Sequence, residues 1–215
     1  MRKRKSFFIV FEGVEGCGKS YQSKKLRNNL KKKRINLLLT REPGGTRSAE
    51  SIRRLILKDY FNKGKKDKFD KYTDTLLYLA ARNEHIQNKI KPALKKGKVV
   101  ICDRFIDSTL AYQVYGKKVN KQFIDHIHKF ILYGIKPNIT FILKVSPKMS
   151  KQRLKKRRTK NRYDNFNQSF YTKAQKSFVK IAKNKRNYFV LNSSLNNKNL
   201  EQKIFKIVCK KLKIK

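Results

Sequence analysis

Acidic residues are scarce: 14 Asp and Glu stand against 57 Lys and Arg in 215 residues, a formal net charge of +43. Cysteine is scarcer still. Cys17, Cys102 and Cys209 are odd in number, widely spaced and without a C-x-x-C pair, which argues against a disulfide framework or a zinc site. Long apolar runs are missing as well. Stretches such as Phe7 to Phe11 and Ile139 to Leu143 fall far short of the roughly 20 residues that cross a bilayer. No hydrophobic segment of signal-peptide character follows the basic start Met1 to Lys5. Reduced thiols, no membrane partner and a cytoplasmic location are therefore expected.

What is present suffices for a core. Hydrophobic residues make up 39% and aromatics 11%, more than a disordered basic tail carries, and the length suits a single domain over 1–215. The charge suits polyanions, because lysines that neutralise phosphates release counterions. Yet the lysines run along the whole chain, as in Lys31 to Arg34, Lys63 to Lys68, Lys155 to Lys160 and Lys210 to Lys215. That distribution reads as solvated faces, with nonspecific polyanion binding left open and a dedicated nucleic-acid surface disfavoured.

Apolar strands and amphipathic helices alternate. Phe7 to Phe11, Ile35 to Leu39, Val99 to Cys102, Ile139 to Val145 and Tyr188 to Leu191 read as strands, and the uninterrupted apolar runs are those of a sheet covered on both faces. Helices are expected over Ser20 to Lys32, Ala49 to Leu57, Asp70 to Lys95, Phe123 to Tyr133 and Leu200 to Lys213. Lys148 to Lys185 reads as basic and helical, interrupted around Thr159 to Gln168. The alternation predicts a three-layer α/β domain with a central parallel sheet.

Gly13-Val-Glu-Gly-Cys-Gly-Lys-Ser20 matches G-x-x-x-x-G-K-[ST] directly after a strand and directly before a helix, the context that this P-loop pattern requires. Gly13, Val14, Glu15, Gly16, Cys17 and Gly18 would turn backbone N–H groups toward phosphates, Lys19 would reach the outer ones, and Ser20 would ligate Mg²⁺. Cys17, beside a helix N-terminus and a lysine, is expected to have a lowered thiol pKa and to react with alkylating reagents.

Three further groups qualify the nucleotide site. Arg41-Glu-Pro-Gly-Gly-Thr46 places a guanidinium at the carboxyl edge of the sheet, although an ordinary turn would look similar. Tyr78 and Arg82, four residues apart on a helix, offer an aromatic plane and a hydrogen-bonding fork to a planar ligand. Asp103-Arg104 ends a strand with a carboxylate suited to Mg²⁺ and an arginine suited to a phosphate.

Together with the run from Asp103 to Gln113, these motifs resemble the thymidylate kinase family of the bacterial kind, in order and over nearly the whole chain. The resemblance implies a P-loop NTPase fold with a basic helical lid at about 148–172, transfer of the ATP γ-phosphate to dTMP with Mg²⁺, and a homodimer. It implies that Glu15 meets the deoxyribose 3′-hydroxyl, Arg41 and Arg104 the dTMP phosphate, and Pro43 the base. Tyr78 would stack on thymine, Arg82 would bind its carbonyl edge, and Ser108, Thr109, Tyr112 and Gln113 would complete the pocket, with Ser20 and Asp103 toward the metal.

Some relatives carry an arginine inside the P-loop where this chain has Gly16, so the catalytic cations expected beside Lys19 and Arg104 come from the lid. Of Arg153, Arg157, Arg158 and Arg162, we expect Arg153 and Arg158 or Arg162 to close over ATP. The lid departs from the family pattern at Asn161-Arg162 and at Lys173, Gln175 and Lys176, which lack a bidentate fork. A P-loop kinase for another deoxynucleotide or a deoxynucleoside, and a polyanion-binding ATPase, are the alternatives.

Overall fold

A computed structural model of the chain describes residues 6–57, 69–156, 168–194 and 197–214. Five strands form one sheet: β1 (Phe7–Glu12), β2 (Leu37–Arg41), β3 (Val99–Asp103), β4 (Ile139–Lys144) and β5 (Tyr188–Asn192). Their spatial order is β2-β3-β1-β4-β5, and every pairing is parallel. The carboxyl ends of the three strands that carry the motifs therefore lie side by side, with Phe11 opposite Asp103 and Asp103 opposite Arg41.

Alternation along β1 explains why its sequence is apolar throughout. Ile9 and Phe11 join one buried cluster with Leu26, Leu30, Phe178, Ile204 and Val208, whereas Phe8 and Val10 join the other with Ile86, Ile90, Val100 and Phe105. Both faces are thus covered, as in the expected three-layer arrangement. The first cluster draws on α1 (Lys19–Lys32), α8 (Gln168–Ala182) and α9 (Asn197–Leu212).

On the opposite face a single helical run follows the Asp70 cap, whose carboxylate accepts from the Tyr72 N–H at 2.7 Å. It comprises α3 (Lys71–His85), a π-helical turn (Ile86–Ile90) and α4 (Lys91–Lys95), and Gly97 with φ +68° leads out of it. The wider turn lies just before Pro92, which cannot donate to the ladder and whose ring needs room. The expected helix over Asp70 to Lys95 is therefore continuous.

Two boundaries differ from expectation. Strand β2 starts at Leu37 because Arg34 adopts φ +54° and Ile35 N–H bonds back to Leu30 O at 3.1 Å, so Ile35 belongs to the close of α1. The segment after Arg104, without a helix assignment from sequence, is helical: α5 (Ile106–Thr109) leads into a second π-helical stretch (Leu110–Gly116). The remaining helices among the described residues are α2 (Arg47–Leu57), α6 (Lys121–Ile131) and α7 (Pro147–Lys155). Residues 157–167, which include Arg157, Arg158 and Arg162, lie outside the described residues.

Candidate active site

The P-loop joins β1 to α1, and its glycines answer to close neighbours. A Cβ on Gly13, at φ +136°, would stand 2.5 Å from Leu143 O; one on Gly16, at φ +69°, would stand 2.8 Å from Ser150 O. Helix α7 therefore occupies the space that a side chain at Gly16 would need. Ser150 Oγ donates to Glu15 O at 2.8 Å, and Arg153 Nη1 donates to Gly16 O at 3.2 Å. The loop thus has no arginine of its own, but α7 lays Arg153 against it.

Lys19 is buried and donates to Gly13 O at 3.0 Å and Val14 O at 2.9 Å. Ser20 Oγ donates to Asp103 Oδ2 at 2.5 Å, which brings the two oxygens expected near Mg²⁺ into contact between the start of α1 and the end of β3. Cys17 corrects the expectation of a reactive thiol. Its side chain is fully buried and burial pushes the thiol pKa up, outweighing Lys19.

Arg104 holds the centre of the site. Its backbone sits at φ +74°, a left-handed conformation uncommon for a residue with a side chain, and its N–H donates to Phe11 O at 2.8 Å. The guanidinium donates to Gly13 O at 2.9 Å, Ser108 Oγ at 3.1 Å and Glu15 Oε1 at 2.7 Å. Glu15 Oε2 accepts from the Tyr112 hydroxyl at 2.7 Å. Burial pushes the Glu15 carboxyl up, but Arg104, Lys19 and that hydroxyl outweigh it and hold Glu15 below the usual range.

Beneath Arg104 lies a carboxyl that sequence reasoning did not single out. Glu12, fully buried at the end of β1, accepts from the N–H groups of Phe105 (2.8 Å) and Ser108 (3.2 Å) and from Ser108 Oγ (2.6 Å). Burial and the nearby Asp107 carboxylate raise its pKa to about 8, against the Ser108 hydrogen bond. An acidic residue in an apolar strand was the available signal.

The loop after β2 contains a cis Glu42–Pro43 peptide bond. Arg41 is exposed, with Nη2 at 3.2 Å from both oxygens of Glu50. Glu42 instead turns inward: Oε2 accepts from Arg82 Nε at 2.8 Å and Oε1 lies 3.2 Å from His85 Nδ1. Burial pushes Glu42 up, but Arg82 and His85 prevail and lower its pKa. Arg53 of α2 donates to Pro43 O at 2.6 Å and faces the same space, a cation that the helix pattern had hidden on an apparent solvent face.

A cavity of about 370 Å³ collects these groups. Of the residues expected in the site, Glu15, Gly16, Gly18, Lys19, Ser20, Arg41, Pro43, Tyr78, Arg82, Asp103, Arg104, Ser108, Thr109, Tyr112, Gln113 and Arg153 line it. Gly13, Val14 and Cys17 do not line it: Gly13 O accepts from Lys19 and Arg104, and Val14 and Cys17 belong to the core. The Ser108 hydroxyl is engaged by Glu12 and Arg104, and that of Thr109 by Arg82 at 2.8 Å. Gln113 is 2% exposed and its Nε2 has no partner, a buried donor at the cavity wall. Gln175 accepts from Val145 N–H at 2.9 Å, which an arginine could not do.

One cavity thus brings the P-loop together with Arg41, Arg53, Arg82, Arg104 and Arg153. A family model described as thymidylate kinase matches residues 11–204. The chain belongs to the thymidylate kinase family. It is 45% identical over 179 residues to a thymidylate kinase of Wolbachia sp. subsp. Brugia malayi, covering 82% of each chain. It is 41% identical over 210 residues to a thymidylate kinase of aster yellows witches'-broom phytoplasma, covering 96% of each. The crystal structure of thymidylate kinase from Ehrlichia chaffeensis superposes with a TM-score of 0.74 at 32% identity, over 94% of this chain and 98% of that one. Thymidylate kinases are nucleoside monophosphate kinases, and dTMP phosphorylation in dTTP synthesis, with ATP as donor, is the activity that membership carries. Among the described residues no helix is long and apolar enough to cross a membrane.

Proposed function

We propose that the γ-phosphate of ATP, held by the P-loop, is attacked in line by a phosphate oxygen of dTMP held by the arginines opposite. The observation that carries this reading is the single cavity onto which Lys19, Arg41, Arg53, Arg104 and Arg153 converge. Phosphoryl transfer needs little covalent help and much placement, with cations spread over the transferring group. Lys19 and Arg153 serve the ATP side; Arg41, Arg53 and Arg104 fix the acceptor phosphate. As the new P–O bond forms, the bond to the β-phosphate oxygen breaks and ADP leaves.

On the acceptor side Glu15 takes the deoxyribose 3′-hydroxyl, and Tyr78 stacks on the base against Pro43. Arg82, with Gln113, meets the base edge, while Ser108, Thr109 and Tyr112 shape the wall. Arg153, with Arg158 or Arg162, belongs to a lid over about 148–172 in a single domain of 1–215. Lid closure would exclude water.

Mg²⁺ fits the chemistry of the donor set. Ser20 and Asp103 offer two adjacent oxygens, and no group of three or more His, Cys, Asp or Glu that could hold a metal occurs among the described residues. Such a pair suits an ion that takes its other ligands from phosphates and water. When bound, Mg²⁺ would neutralise charge on the transferring phosphates.

A homodimer in the cytoplasm completes the reading. Leu55, Leu76, Phe130 and Tyr133 are exposed apolar side chains on or beside α2, α3 and α6, helices that pack side by side, and they support this reading as the side chains a partner copy would cover. Sedimentation of the purified chain tests the dimer, and ADP release with separate acceptors tests the reaction. Turnover with thymidine equal to that with dTMP would sink the phosphate-acceptor reading.

A further inference from the structure

Arg82 is 3% exposed and has almost spent its hydrogen-bonding capacity before any ligand arrives. A guanidinium carries five N–H groups. Nε–H is given to Glu42, the two hydrogens of Nη1 to Thr109 Oγ1 (2.8 Å) and His128 Nε2 (2.9 Å), and one of Nη2 to Phe105 O (2.9 Å). One Nη2 hydrogen is left for the cavity that Arg82 lines. Three of the four partners belong to the loops and helix that build the site. The fourth, His128, comes from α6, outside the cavity lining, and packs against the back of α3.

We infer that His128 is a positioning residue for base recognition: by accepting one Nη1 hydrogen it fixes the guanidinium plane, and so the direction of the single free N–H. Arginine has no acceptor, so the imidazole must take part through a bare Nε2, with its proton on Nδ1. A charged imidazole would set two donors against a cation. Burial and the Arg82 charge both push His128 down, to about 3, so the acceptor persists through the neutral range. An apolar residue there would leave an Arg82 hydrogen buried without a partner and remove one of the four bonds that hold the guanidinium plane, so that the fork can tilt.

This inference rests on reading Arg82 as the group that meets the base's 4-carbonyl, so its test compares dTMP with 5-methyl-dCMP, which bears an amino group at that position. The readout is the ratio of kcat/KM for the two acceptors, with KM for ATP as internal reference. His128→Leu should lower the ratio about five- to tenfold, the size of one aligned hydrogen bond. His128→Asn, which keeps an acceptor, should restore it to within about twofold. A purely structural role would lower activity with both acceptors and leave the ratio alone. An unchanged ratio in His128→Leu, where Arg82→Lys collapses it, overturns the role of His128. An unchanged ratio in Arg82→Lys overturns the base-edge reading itself. If His128→Leu does not fold, His128→Met, of similar volume and only weakly accepting, takes its place.

Discussion

Glu42→Gln attacks the pair on which the acceptor pocket hangs. Glu42 and Arg82 are 4% and 3% exposed and 2.8 Å apart, and the other Glu42 oxygen faces His85. Removing one partner of such a buried pair leaves an uncompensated guanidinium, at a cost of about 3–5 kcal/mol. For a chain of this size each kcal/mol moves the melting temperature roughly 2–4 °C, so a fall of about 6–20 °C is expected, nearer the lower end because the amide still accepts one hydrogen bond. The same change weakens the hold on Nε–H of Arg82 and loosens the base edge, so KM for dTMP should rise about tenfold while KM for ATP moves far less. Thermal denaturation followed by circular dichroism and initial rates of ADP formation measure both. A melting shift below about 3 °C, or equal rises in the two KM values, would refute the buried-pair account.

Lys19→Ala should lower kcat by about 10²–10³-fold, as expected for removal of a preorganised cation from a developing phosphate charge; a steady-state rate within tenfold of the parent would speak against that role. Burial and Asp107 raise Glu12 to about 8, so between the ordinary value of 4.5 and about 8 the folded chain keeps a proton that the unfolded chain has released. Stability from this group is therefore full below about pH 4.5 and lost as pH rises through about 8. Glu12→Gln should flatten that part of the melting-temperature profile, and identical profiles for parent and variant would contradict the assignment. Native alkylation read by mass spectrometry should modify Cys209, which is partly exposed, well before the buried Cys17 and Cys102; early labelling of Cys17 would place the P-loop differently.

The sheet and the nucleotide loop were legible in sequence because their determinants are local. A run such as Phe7 to Phe11 suits a strand buried on both faces, as in a covered parallel sheet, and the P-loop pattern specifies its own backbone. Ends of elements were less legible: Ile35 looks like strand, but the left-handed Arg34 assigns it to the close of α1. Residues that act through tertiary contact were hidden. Arg53 sits in an ordinary Arg-rich helix and lines the cavity with its guanidinium bonded to the Pro43 carbonyl. Glu12 and His128 touch the site through Ser108 and Arg82, and no spacing in the chain encodes those bonds. Cys17 shows the converse, since a helix N-terminus and a lysine predict a lowered thiol pKa until burial is known to outweigh them.

The charge of +43 and the active-site cavity predict different things in one assay. ADP release from ATP with Mg²⁺ is followed with dTMP, dUMP, thymidine, other monophosphates, or DNA and RNA as separate additions. Turnover that depends on dTMP, far above the rest and unmoved by nucleic acid, is the expected result. Hydrolysis stimulated by nucleic acid, with no acceptor-dependent ADP release, would contradict the account.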